Sequence, residues 1–184
     1  MDITEIPNYG YRTTAQAHAT DENICAFLIQ SLRETKKVLF RTIHMLYEMQ
    51  LEGKINQQLQ GLWDAVDVFS DEIKIRVCRW RPLPDIWIAK LEAKDKQLID
   101  VIKKINRDVN DIFNFILNGL KKDHRVKTQP ILYEGFWDEC RKRISVIEGE
   151  LEEAVRLFKE RDAICNLKPL SLQKTYELIK TKIS

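Results

Sequence analysis

The chain has 184 residues, of which 44% are hydrophobic and 32% charged, with 6 Gly and 5 Pro. That suits one domain with a real core and is too apolar, and too poor in Pro and Gly, for a disordered chain. Thirty Lys+Arg against 28 Asp+Glu leave a net charge of +2, which excludes a bulk polycation or polyanion but allows local patches. No apolar run approaches the ~18 residues needed to span a bilayer. The opening stretch MDITEIPNYGYRTT lacks the basic and apolar regions of a signal peptide, so an intracellular, cytoplasmic setting is expected.

In chain order, Pro7 and Gly10 mark an irregular arm over residues 1–20, and a helical period then runs through residues 21–166. The first helix is loosely patterned: Cys25, Leu28, Leu32, Leu39, Ile43 and Leu46, with Thr35 filling the gap. After Gly53, the second carries Ile55, Leu59, Leu62, Val66, Phe69, Ile73, Val77 and Trp80, in steps of 3 and 4. Pro82 and Pro84 make a hard break. The third helix repeats Leu98, Ile102, Ile105, Val109, Ile112, Ile116 and Leu120. Beyond Pro130, the fourth repeats Trp137, Cys140, Ile144, Ile147, Leu151, Ala154 and Phe158. After Pro169, Ser171 is a good N-cap for a short fifth helix bearing Leu172, Tyr176, Ile179 and Ile183, within a terminal segment of residues 167–184.

Each pattern lays one apolar stripe along a helix, and none alternates as a strand would. Phe27, Phe40, Trp63, Val101, Phe113, Val155 and Leu157 widen the stripes beyond a two-stranded seam. The expected fold is all-α: a long, antiparallel, up-down-up-down four-helix bundle with an N-terminal arm and a short C-terminal helix. Its arm end gathers Cys25, Cys78, Cys165 and the Pro82–Trp87 corner, and the far end gathers Gly53 and the 121–131 loop. Gly61, Gly119, Gly135 and Gly149 fall in or near helices, where each costs about 1 kcal/mol relative to alanine. Close helix approach or a hinge would compensate.

Several chemistries lack their signature. A di-iron carboxylate bundle needs Glu-x-x-His pairs, but Ala15, Arg41 and Lys121 precede His18, His44 and His124 by three residues. Cys25, Cys78, Cys165 and His18 could conceivably surround zinc, yet no closely spaced ligand pair exists. The four cysteines read better as reduced, mostly buried small hydrophobes. Haem ligation by His44 or Met49 has little to support it. Nucleophile elbows and phosphate-binding glycine loops are absent, so no enzyme, metal, cofactor or small-molecule substrate is expected.

What remains is surface. One basic run holds Lys74, Arg76, Arg79 and Arg81 around Trp80; acid early and base late is also what a helix dipole favours. Lys121, Lys122, Arg125 and Lys127, with Arg141, Lys142 and Arg143, form a second cluster towards the opposite end. The Arg81-Pro82-Leu83-Pro84 corner has part of a polyproline ligand pattern but reads as a stiff turn, with Asp85 capping the third helix. Phe113, Phe115, Ile116 and Leu117 make the third helix apolar nearly all round. The sequence therefore points to a non-enzymatic interaction module, an adaptor, assembly subunit or regulatory factor, that binds another protein or itself. Trp87, Phe115 and Leu117 are the candidate apolar contacts, with Tyr176 and Ile179 on an exchangeable lid. Two alternatives stand beside it: nucleic acid or an anionic surface bound by the two basic clusters, and a membrane-active bundle that opens.

Overall fold

Thr13 opens the first helix, its hydroxyl accepting the Gln16 backbone N–H at 3.1 Å as an N-cap. In the computed structural model this helix, α1, spans Thr14–Glu48, so it begins inside the segment expected to be arm. α2 spans Gly53–Ile75, α3 Asp85–Asp123 and α4 Tyr133–Cys165. A single 3-10 turn, Ile3–Glu5, lies in the arm. The structure describes residues 2–49, 51, 53–80, 82–123 and 133–165, without the side chains of residues 121–123, 133 and 134. The expected fifth helix falls outside those residues, as do Arg125 and Lys127.

The stripes become the core. All seven expected positions on α3 and all seven on α4 are buried. On α2 the stripe holds through Ile73 and then fails. The helix ends at Ile75, Val77 is 74% exposed, and Trp80 is buried from a non-helical segment rather than from a helix face. Proline explains the shortening: Pro82 and Pro84 cannot supply the N–H groups a continuing helix needs. Pro84 instead lends its carbonyl to the N–H groups of Trp87 and Ile88, at 2.9 and 3.2 Å, and so begins α3.

Helix directions alternate as expected, and the neighbours are set by the connections. α1 and α2 form one antiparallel hairpin, and α3 and α4 another. The hairpins stack with α1 beside α3 and α2 beside α4, each of these pairs parallel, which leaves α2 and α3 on opposite corners. Residues 76–84 are long enough to cross the arm end diagonally, which a tight turn could not do.

One glycine has a packing reason. A Cβ on Gly119 would lie 2.4 Å from the Phe136 ring, so this position lets α3 and α4 approach closely. Gly61, Gly135 and Gly149 face open space, and close approach does not account for them.

Candidate functional site

Two regions stand apart from the apolar core: a polar junction buried at the arm end and an aromatic groove exposed between α1 and α2.

The junction forms where charged residues occupy stripe positions. Arg161 continues the α4 stripe, Asp95 lies on the stripe of α3, and Asp21 on that of α1. Arg161 is fully buried and reaches across the bundle. Its Nη1 donates to Asp21 at 2.6 Å, its Nε donates to Asp95, and its Nη2 donates to the Tyr11 hydroxyl at 3.1 Å. Arg76, just beyond α2, donates to Asp21 at 2.6 Å and also to Asp162. The arm closes the top. Tyr9 donates its hydroxyl to Asp95 at 2.8 Å, and Tyr11 donates to the same carboxylate. The Thr20 hydroxyl accepts the Gly10 N–H and donates to the Gly10 carbonyl, both at 3.0 Å. Gly10 has φ +151°, and a Cβ there would also strike Gln16. Burying this many charges is tolerable only because nearly every one is paired.

The electrostatics follow. Burial alone would raise the Asp21 carboxyl, but the Arg161 and Arg76 guanidiniums outweigh it and hold it below the ordinary carboxylate range. Burial, with Asp95 close by, pushes the Tyr9 and Tyr11 phenols far up, so both remain hydrogen-bond donors. Burial pushes the Cys25 thiol up to about 11 and Cys140 up to about 12.

Arg76 is therefore not part of a solvated basic helix end. It is an internal counter-ion, which corrects its assignment as an anion-binding residue. Arg79 is exposed, and Arg81 lies outside the described residues. In the second cluster, Arg141 pairs with Asp138, and Arg143 pairs with Glu139 at 2.9 Å. Lys142 is exposed. The side chains of Lys121 and Lys122 are not described.

Two of the expected apolar contacts, Phe115 and Trp87, are engaged internally. Phe115 stacks on Phe136 with ring centres 4.8 Å apart, and the Arg143 guanidinium covers it at 4.3 Å. Leu117 is half-buried. Trp87 packs at the arm end against the cluster of Tyr11, Trp80 and Leu91, with Lys90 over its ring. Tyr176 and Ile179 lie outside the described residues.

The exposed aromatics lie elsewhere. Phe40, expected to widen the core stripe, is 58% exposed, and Tyr47 is 76% exposed. Arg33, Lys37, Phe40, His44 and Tyr47 follow each other in steps of 4, 3, 4 and 3, one face round from the buried stripe. Two adjoining hollows flank this row along the α1–α2 groove and share Phe40. One, of about 260 Å³, is lined by Ile29, Phe40, Trp63 and four cations, Arg33, Lys36, Lys37 and Lys74. The other, of about 310 Å³, lies between Ile43, His44 and Tyr47 on α1 and Asn56, Gln57 and Gln60 on α2. Lys36 sits 4.6 Å over the Trp63 ring while pairing with Asp67. Lys37 pairs with Glu34, and Lys74 with Asp71. Arg33, which lines the first hollow, forms no ion pair among the described residues. The repeat of Phe40 and Tyr47 beside the stripe was the signal that a sequence reading could have used.

The chain matches no family model, no curated protein and no solved structure. Among the described residues, no helix is long and apolar enough to cross a membrane.

Proposed function

We propose that the protein is a non-enzymatic interaction module whose α1–α2 groove docks an amphipathic helix with an acidic rim. The observation that carries this reading is the exposed row Arg33, Lys37, Phe40, His44 and Tyr47 beside two apolar hollows. Exposed aromatics over a contiguous groove are costly to leave in water unless something covers them. From Ile29 to Tyr47 the groove runs about 27 Å at 1.5 Å per residue, the length of a helix of about 18 residues. Anchors at successive turns of such a helix would fill the hollows, as in other helix-in-groove complexes.

Charge favours an acidic rim on a mostly apolar partner over a polyanion. The four cations around the upper hollow meet no carboxylate in its lining. Three of them, however, are already paired with neighbouring acids. Arg33 is the lining cation with charge to spare, enough for a carboxylate or two on a rim and too little for a phosphate backbone.

The test is a titration with an 18-residue designed helix bearing leucines on one face and glutamates beside it, followed by anisotropy. Saturable binding is expected, with at least a tenfold loss in the Phe40→Ala/Tyr47→Ala double variant. Equal binding of a lysine-rimmed version, or unchanged binding by the double variant, would overturn the proposal. Light scattering on the free protein covers a different occupant. A dimer dispersed by the same double variant would assign the groove to a second copy of this chain and overturn the helix assignment.

A further inference from the structure

At the arm end, three of the four cysteines converge beside the buried ion network. Cys78 comes from the non-helical segment after α2, and Cys165 is the last residue of α4. Their sulfurs lie within 4.8 Å of each other and of an Asp21 carboxylate oxygen. Cys25 lies a little apart, accepting from Arg76 at 3.0 Å. We propose that Cys78 and Cys165 form a reactive dithiol that exchanges with small-molecule disulfides, Cys78 attacking and Cys165 resolving.

The two sulfurs differ as those roles require. Cys78 is half-buried, so a small reagent can reach it, whereas Cys165 is 2% exposed. The Arg76 and Arg161 guanidiniums favour the Cys78 thiolate, against burial and the Asp21 carboxylate, which disfavour it. The Cys165 S–H, facing Cys78, holds the Cys78 thiol below its ordinary range, and the same contact, with burial, raises Cys165. Cys78 stands outside any helix, so helix hydrogen bonds do not hold its backbone in place. The third member, Asp21, argues against a metal. Its carboxylate already accepts from both arginines, so its charge is spent within the protein.

The exchange balances. The Cys78 thiolate attacks one sulfur of the small disulfide, forming a mixed disulfide and expelling a thiolate that takes up a proton. Cys165 then loses its proton and attacks the Cys78 sulfur. The Cys78–Cys165 bond forms, and the second small thiolate leaves and is protonated. The protein dithiol is oxidised by two electrons, and the small disulfide is reduced to two thiols.

The test uses the full reduced chain with oxidised glutathione, read by intact mass and peptide mapping. A single internal cross-link between Cys78 and Cys165 is expected, and the Cys25→Ser variant should form it equally well. Cys165→Ser should instead accumulate glutathione on Cys78. Native alkylation of the wild-type chain by iodoacetamide should be about tenfold faster at Cys78 than at Cys25 or Cys140, and this decides the matter even if a variant fails to fold. A cross-link through Cys25, or Cys78 alkylated no faster than Cys25, would overturn the proposal.

Discussion

The arm end and the α1–α2 groove use the same kinds of residue in opposite ways. At the arm end, arginines, aspartates and tyrosines are drawn inside and matched donor to acceptor. In the groove, arginines, lysines and aromatics stand outside, with their apolar faces only half covered. The first arrangement fixes the structure: Arg161 ties α4 to α1, α3 and the arm at once, so a shift of any one of them strands a buried charge. The second fixes less within the molecule, because its ion pairs lie at the surface and the Phe40 and Tyr47 rings stay exposed. Polarity alone therefore does not mark function in this protein. The distinction lies in burial: three groove cations are paired as well, but at the surface, beside rings that remain exposed.

The largest effect is expected at Arg161. Replacing it with Met leaves Asp21 and Asp95 buried with less compensation and should cost about 3–5 kcal/mol in urea unfolding. A cost as small as that of a surface substitution would show that the junction is not what holds the arm end. Next comes Tyr11→Phe, which removes a hydrogen bond to the Asp95 carboxylate and should cost about 1.5–3 kcal/mol. Gly149→Ala, an exposed helix position with open space for a Cβ, should stabilise by about 1 kcal/mol, visible as a raised unfolding midpoint. The smallest stability effect belongs to the groove: Phe40→Ala and Tyr47→Ala should stay within about 0.5 kcal/mol of wild type. A large loss there would mean that these rings belong to the core after all.

Acid sharpens the same contrast. The folded-state pKa of Asp21 lies below its ordinary value of 3.8, so its ion pairs stabilise the fold fully above that value. That contribution is lost as pH falls from there through the folded pKa. Thermal unfolding followed by circular dichroism should therefore show a drop in midpoint below about pH 4, and the drop should be shallower in Arg161→Met.

Much of the fold was legible because helix periodicity is a local signal. Steps of 3 and 4 located α3 and α4 and named their buried residues, from Leu98 to Leu120 and from Trp137 to Phe158. The period misled at Val77, where two prolines a few residues on ended the helix before the pattern did. The stacking of the hairpins was not legible, since nothing local says that residues 76–84 cross the bundle end. The ion network pairs residues as far apart as Asp21 and Arg161, yet each of them interrupts an apolar stripe, as does Asp95. Three opposing charges on three stripes near one end were a readable sign of a buried cluster. Which aromatics stay exposed was not legible for a related reason. Phe115 and Trp87 are as apolar as Phe40, and only the packing of Phe136, Arg143 and the arm decides which aromatic remains uncovered.

The most direct measurement is an unbiased selection from a random peptide display library on the wild-type chain, counter-selected against Phe40→Ala/Tyr47→Ala. Enrichment of sequences with apolar residues at helical spacing and carboxylates beside them, lost with the double variant, is expected. Enrichment that the double variant retains, or selected peptides with basic or non-helical patterns, would contradict the helix-docking proposal.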